Sequence, residues 1–382
     1  MVSRDAAADL TSPDSATGPA EARFQQSLSY GQLVRRRFMK NRYGVAGLVL
    51  CIFIVFTAIF AGFIAPYSSA KTDSSGLYAP PQWIHFFDEE GNFQGPFVYG
   101  LTEEMDPNTF EITFAHDTEN IIHMRFFVQG EEWSLFGLTL TTHLFGSADG
   151  QRISLLGTDN LGRDVFSRMI WGTRVTLLMG VLVMAAACVI GTAIGVAAGY
   201  FGGWFDLVSQ RLVEFFKAFP DLPLYLALVA LLPRRADPEL IFIMFAGILV
   251  LLRWPDLARE LRGKVLAMRS LDYVRSAEAV GATRGRILGR HILPNVVSHI
   301  IVWSTYYLPE IILLESFLSF LGVGVQAPMV SWGSMLNQIL DFQSFSAAPW
   351  MMAPVGMIVI SVLAFNAFGD GLRDAIDPYS DA

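Results

Sequence analysis

The chain has 382 residues, 53% of them apolar and only 16% charged, against roughly 25% charged in a soluble domain. That composition excludes an ordinary soluble enzyme and makes a lipid bilayer the solvent. The net charge of −8 averages over segments of opposite sign, and the two cysteines, Cys51 and Cys188, both fall in apolar runs, which excludes a disulfide framework.

Residues 1–28, rich in Ala, Ser, Asp and Pro, read as a disordered cytoplasmic tail. A basic lead-in, Arg35 to Arg37, Lys40 and Arg42, precedes Gly44–Ala65, twenty-two residues without a charge. At about 1.5 Å per residue that run crosses about 30 Å of hydrocarbon. It exceeds the core of a signal peptide, so residues 29–66 read as the lead-in and a retained first span, with the basic cluster in the cytoplasm.

Residues 67–155 then form an extracytoplasmic insert. Between 66 and 150 only Lys71 and Arg125 are basic, against thirteen Asp and Glu, and the runs Thr109–Phe114 and His123–Val128 alternate apolar with polar. Alternation of this kind predicts short strands, hence a small β-rich unit.

The rest, 156–376, is expected to form the transmembrane core. Asp159 or Asn160 is placed to cap a short interfacial helix over Asp164–Trp171, with Arg163, Asp164 and Arg168 off its apolar face. Helices near 175–201, 207–232, 239–255, 296–321 and 351–369 supply five further spans. In the second span Gly191, Gly195 and Gly199 recur every fourth residue, a face that admits another helix. The third starts amphipathically with Arg211, Glu214 and Lys217; the fourth is short, with Arg253 and Trp254 snorkelling at its end. The fifth is broken by Pro309 and carries Glu310 and Glu315. The expectation is an all-α polytopic membrane protein of six transmembrane helices with both termini cytoplasmic.

Several kinds of chemistry are missing from the sequence. It contains no G-x-x-x-x-G-K-[ST] phosphate loop, no H-E-x-x-H metal spacing among its six histidines and no G-x-S-x-G elbow. The informative segment is the cytoplasmic loop 256–293, which carries eight Arg and Lys against four acids. It reads as a helical elbow. Leu257, Leu261, Val265 and Met268 form one stripe, and Ser270 is placed to cap a second helix bearing Tyr273, Val274 and Ala277 on one face. Gly281 is placed to end that helix in the left-handed conformation, Thr283 to cap the next turn, and Pro294 suits the first turn of the fifth span. Such an elbow either only joins two spans or presents a docking knob to a soluble partner.

The run Asp272-Tyr273-Val274-Arg275-Ser276-Ala277-Glu278-Ala279-Val280-Gly281-Ala282, followed by Arg290-His291-Ile292-Leu293-Pro294-Asn295, resembles the ATPase-coupling loop of ABC importer permeases. That family has Glu-Ala-Ala six residues before the glycine; here Arg275-Ser276-Ala277 stands there, with Glu278 three residues on. Gly157–Arg168, Glu315–Gln326, Ser331-Trp332-Gly333 and Leu363–Asp374 are similar to segments of the second permease subunit, the C-type inner-membrane permease, of dipeptide and oligopeptide importers.

The resemblance implies an ABC type I importer permease fold in a bacterial inner membrane, forming half of a translocation channel. It implies a second permease subunit as heterodimer partner, two cytoplasmic ATPase subunits that bind ATP and Mg, and an extracytoplasmic solute-binding protein. It implies no catalysis, cofactor or metal in this chain. Pro309, Glu310 and Glu315 become candidates for the pathway, since an acid within a span is costly unless it faces a cavity or a partner; hydration near the outer end accounts equally well for Glu315. Oligosaccharides or metal complexes are alternative cargoes. A secondary transporter driven by an ion gradient, with Glu310 and Glu315 as proton or sodium sites, is the rival mechanism.

Overall fold

The computed structural model describes residues 29–376 apart from 75, 106–111, 234, 341–345 and 347. The tail over 1–28 and residues 109–111 of the first alternating run lie outside the described residues. The chain opens with α1 (Tyr30–Lys40), α2 (Arg42–Ile59) and α3 (Ala61–Ile64), followed by β1 (His85–Phe87), β2 (Phe93–Met105), β3 (Ile112–Leu135) and β4 (Leu138–Ser147). Then come α4 (Val165–Phe201), α5 (Gly203–Lys217), α6 (Asp221–Ala230), α7 (Pro238–Arg269), α8 (Asp272–Ala279) and α9 (Arg284–Ile287). A π turn over Leu288–Ile292 leads into α10 (Leu293–Phe320), and α11 (Trp332–Asn337) precedes α12 (Ala353–Ile376).

Among the described residues five helices, α2, α4, α7, α10 and α12, are long and apolar enough to cross a membrane. The third expected span, 207–232, is not one helix. It divides at Ala218–Pro220 into amphipathic α5 and apolar α6, because Pro220 and Pro223 remove amide donors and Pro220 pulls the preceding residue out of the helical region. At about 1.5 Å per residue, α6 alone covers about half a hydrocarbon core. The two pieces nevertheless climb along α7 in reverse direction: Asp206 pairs with Arg262, Lys217 with Asp256 at 2.7 Å, and Val229 and Ala230 line one small cavity with Ile241.

The fourth span also differs from its expectation. It does not end at Arg253 and Trp254 but runs on as α7 to Arg269, through Pro255, so the first half of loop 256–293 belongs to this helix. The cause is the glycine stripe of α4. A Cβ on Gly191, Gly195 or Gly199 would lie 2.9, 2.5 and 2.8 Å from the carbonyl oxygens of Trp254, Ala258 and Arg262. The two backbones therefore touch, in parallel, and bury Leu257, Ala258, Leu261 and Val265 almost completely. Burial of that stripe outweighs the roughly 3 kcal/mol of an interior proline.

The expected interfacial helix over 164–171 is the first two turns of α4. Its cap is Asp164, which accepts the Ser167 amide at 2.7 Å, not Asp159 or Asn160. Arg168 does not point away from the core. It is 5% exposed and pairs with buried Asp159 at 2.8 Å, an acid that Arg163 also holds at 2.8 Å.

Helix directions place the chain's parts at two ends. Asn41 donates to Asp374 at 3.2 Å, and α2 and α12 meet through Gly44 against Gly371 and Gly47 against Phe368. The end of α1, the start of α2, the end of α12, the end of α7 and the segment α8–α9 lie at this elbow end. The sheet, the start of α4 and the loop after α10 lie at the other, the sheet end.

The four strands form one antiparallel meander in the order β1-β2-β3-β4, with the first half of β3 paired to β2 and the second half to β4. Val98, Ile122, Met124, Phe145 and Ile153 make its core, and Phe145 packs on Phe166 of α4 with ring centroids 5.6 Å apart.

Candidate functional site

The elbow is built by burying one face of a short helix. In α8, Val274 and Ala277 turn inward and join Ile287 and Ile292 against Leu257, Leu261 and Val265 of α7 and Val196 and Tyr200 of α4. Helix α8 ends in a Schellman motif: Ala282 donates to the Ala277 carbonyl and Gly281 to that of Glu278, both at 3.0 Å, with Gly281 at φ +78°. Thr283 accepts the Arg286 amide at 3.4 Å to start α9. Ser270 does not cap α8. It terminates α7, donating its hydroxyl to the Ala267 carbonyl at 2.8 Å, because Leu271 occupies the capping position.

Of the sequence-predicted elbow residues, Asp272, Tyr273, Arg275, Ser276, Glu278, Gly281, Arg290, Leu293 and Pro294 are exposed, Ala282 is half-buried and Ala277 faces the core. The Glu278 carboxylate is turned back toward the bundle, where it accepts the Tyr200 hydroxyl at 3.2 Å. The exposed surface of the elbow carries Arg275, Arg284, Arg286 and Arg290, with Asp272 and the apolar Val280, 83% accessible.

Behind the elbow lies a cavity of about 950 Å³ bounded by α5–α6, α7, α10 and α12. Along its wall Lys217 pairs with Asp256 at 2.7 Å and Arg253 with Glu310 at 2.6 Å, and His299 Nε2 lies 2.9 Å from Glu260. Arg253 is 8% exposed, with its Nε unpartnered. Membrane-spanning helices bear so many ionisable groups where they face water or another subunit.

The structure separates the two candidate acids of α10. Glu310 lines this cavity. Glu315 is 0% exposed near the sheet end, where its Oε1 accepts the Ser319 hydroxyl at 2.7 Å, and it does not line the cavity. Ser319 also accepts the Val325 amide at 3.0 Å, while Gly333 lies against the Ser316 backbone too closely for any side chain. Trp332 is wholly buried between α4 and α10, donating its indole N–H to the Met169 carbonyl at 3.1 Å. Glu315 thus belongs to the packing that pins the loop after α10. The expected break at Pro309 does not occur: Pro309 is buried and α10 continues through it, with Leu308 and Ile312 packed in the core on either side.

Residues 191–380 match the family described as binding-protein-dependent transport system inner membrane component, and residues 29–81 match the N-terminal transmembrane domain of oligopeptide transport permease C. A dipeptide transport system permease protein of Alkalihalophilus pseudofirmus is 40% identical over 223 residues, 58% of this chain and 71% of the relative. The chain belongs to the family of binding-protein-dependent transport system inner membrane components.

Other relatives of this permease align over nearly its full length. A putative peptide permease protein of Brucella suis is 37% identical over 92% of this chain and 93% of its own. The oligopeptide transport system permease protein of Bacillus subtilis is 29% identical over 94% and 93%. What sequence reasoning missed in the permease is the cavity wall: Arg253, Lys217 and Asp256 bear on it, together with Tyr307. A pattern could have found it, since Lys217, Arg253 and Glu310 are ionisable residues standing next to apolar runs in three separate helical segments.

Proposed function

We propose that this permease forms one half of the translocation channel of an ATP-driven importer of dipeptides or oligopeptides in the bacterial inner membrane. The single observation that carries the mechanism is continuity. One 32-residue helix, α7, bears Arg253 on the cavity wall and runs into the elbow, whose buried face locks onto α7 and α4. A push on the exposed arginines of the elbow is therefore delivered to the cavity wall without a flexible joint.

In this reading the elbow end is cytoplasmic, as the basic lead-in before α2 and the basic elbow favour, and both termini lie there. One of two ATPase subunits that bind ATP and Mg docks on α8 and α9, a second permease subunit closes the cavity, and a binding protein delivers cargo at the sheet end. The chain itself performs no covalent chemistry; it converts ATPase closure into helix motion. The relatives' names favour peptides over oligosaccharides or metal complexes, and family membership favours ATP over an ion gradient.

The test is peptide uptake by proteoliposomes holding this chain with its candidate partner permease, ATPases and binding protein. Uptake should require internal ATP and the binding protein and should stop when either ATPase is omitted. Uptake that follows a proton or sodium gradient without ATP would overturn the proposal.

A further inference from the structure

The sheet bears a feature that transport through the bundle does not use. From Trp133 to Ala148 the chain has sixteen residues without Asp, Glu, Lys or Arg; they form the end of the β3–β4 hairpin, buried at Trp133, His143 and Phe145 but open at its turn. Its cross-strand partners Trp133 and Leu140, and Leu135 and Leu138, share one face, while Ser134 and Thr139 pair on the other. Phe136 at the turn is 89% exposed and Leu138 67%. Solvent is a poor environment for such a face.

Contacts with the end of the first span fix the base of the hairpin. Glu131 pairs with Lys71 at 2.8 Å and accepts the Ser68 amide at 2.8 Å. One step nearer the bilayer, His143 Nδ1 lies 2.7 Å from the Ala65 carbonyl. One step nearer again, Trp133 packs on Gly62, where a Cβ would be 2.6 Å from the indole. From Glu131 to Trp133, β3 thus passes from beside residue 68 to beside residue 62, at the end of the span. The hairpin is continuous with the exposed aromatic side of that span, Phe53 and Phe56 being 61% and 47% accessible and Phe63 meeting Phe127 at 6.2 Å between rings.

We propose that the β3–β4 hairpin is a membrane-dipping element. With Trp133 anchored on Gly62, its exposed tip, Phe136, Leu138 and Leu140, enters the interfacial zone of the leaflet at the sheet end, beside α2 and α3. The Lys71–Glu131 pair marks the waterline. The occupant is lipid, because the surface carries no charge for a polar partner, is aromatic at its tip as interfacial segments are, and extends a lipid-facing helix surface without a break.

The test uses the assembled transporter in lipid nanodiscs with Phe136→Cys carrying an environment-sensitive fluorophore. Asp149→Cys, exposed and about 30 Å away along β4 at roughly 3.3 Å per residue, is the water-side control. The unsubstituted chain with Cys51 and Cys188 gives the labelling background. At position 136 the emission should shift to the blue and be quenched by nitroxide-bearing lipids but not by iodide in water, with the reverse at 149. Quenching by iodide at both positions would overturn the proposal and leave the face open to water or to a soluble partner. Protection from both quenchers at 136 would overturn it in favour of a covering protein.

Discussion

Arg253 of α7 holds Nη1 2.6 Å from Glu310 Oε1 of α10, and its guanidinium lies 5.8 and 5.6 Å from the ring centroids of Tyr225 and Tyr307. The Tyr307 hydroxyl donates to the Arg253 carbonyl at 3.1 Å, so α7, α10 and α6 are tied at one level of the cavity wall. The side chains are 9% and 52% exposed, which makes the pair half-closed: Glu310 can be hydrated, Arg253 cannot.

Glu310→Gln should therefore cost about 1–2 kcal/mol of stability, less than the 3–5 kcal/mol of breaking a fully buried pair. The double variant Arg253→Gln with Glu310→Gln should cost less than the sum of the two singles, since the second change removes the charge that the first leaves unpaired. Thermal unfolding of the four proteins in nanodiscs measures this cycle. Additive losses would mean that the pair is not coupled.

Gly281 separates a conformational requirement from a spatial one. It sits at φ +78° with nothing within 4 Å of the point a Cβ would occupy, so Gly281→Ala meets no clash and costs about 1 kcal/mol for the left-handed backbone. Gly281→Pro cannot adopt that φ and loses the hydrogen bond to the Glu278 carbonyl. Transport by the alanine variant should stay near wild type, while the proline variant should bind peptide-loaded binding protein normally and lose ATP-driven uptake. Wild-type uptake by the proline variant would remove the elbow from the coupling path.

How far the sequence could be read follows from which forces are local. Uncharged runs reveal spans because the cost of lipid acts on each residue separately, and the glycine stripe at 191, 195 and 199 reveals a helix contact because only small residues allow it. The partner of that stripe was not legible. Arg253 and Pro255 look like the end of a helix, and only burial of Leu257, Leu261 and Val265 against α4 carries α7 past them. The same non-local packing separates Glu310 from Glu315, two acids five residues apart in one helix, one on a cavity and one held by Ser319. Asp159 and Arg168 read as a cap and a surface charge, because nothing in the local pattern shows that the loop folds over them.

Asp164 gives a pH signature at the sheet end. It is buried ahead of α4 with Oδ1 unpartnered, and burial pushes its carboxyl up to about 6, against the opposing hydrogen bonds from Ser167. The folded state then holds the proton more tightly than the unfolded state, whose carboxyl titrates near 4. The stabilisation by this group is complete below about pH 4 and is lost as pH rises through about 6. Asparagine caps helices as well as aspartate does, so Asp164→Asn should keep the helix start and flatten the fall in unfolding temperature between pH 4 and 7. An unchanged pH slope in the variant would assign the titration to another group.

The contact of α4 with α7 is the joint on which the proposed mechanism turns, and it has little tolerance for volume. A methyl group at Gly195 would lie 2.5 Å from the Ala258 carbonyl oxygen, which is backbone and cannot rotate away. Gly195→Ala should force the helices apart and cost about 1–3 kcal/mol, as overpacking does. Gly247→Ala, on the exposed side of α7 with nothing within 4 Å, should be neutral or slightly stabilising through helix propensity. Because α7 carries both the cavity wall and the elbow, displacing it at Ala258 should also lower peptide uptake per ATP hydrolysed, an effect that loss of stability alone does not produce at a temperature where the variant remains folded. Measuring uptake and ATP hydrolysis together in reconstituted transporter decides the point: an unchanged ratio in Gly195→Ala would show that the elbow moves independently of the α4–α7 contact.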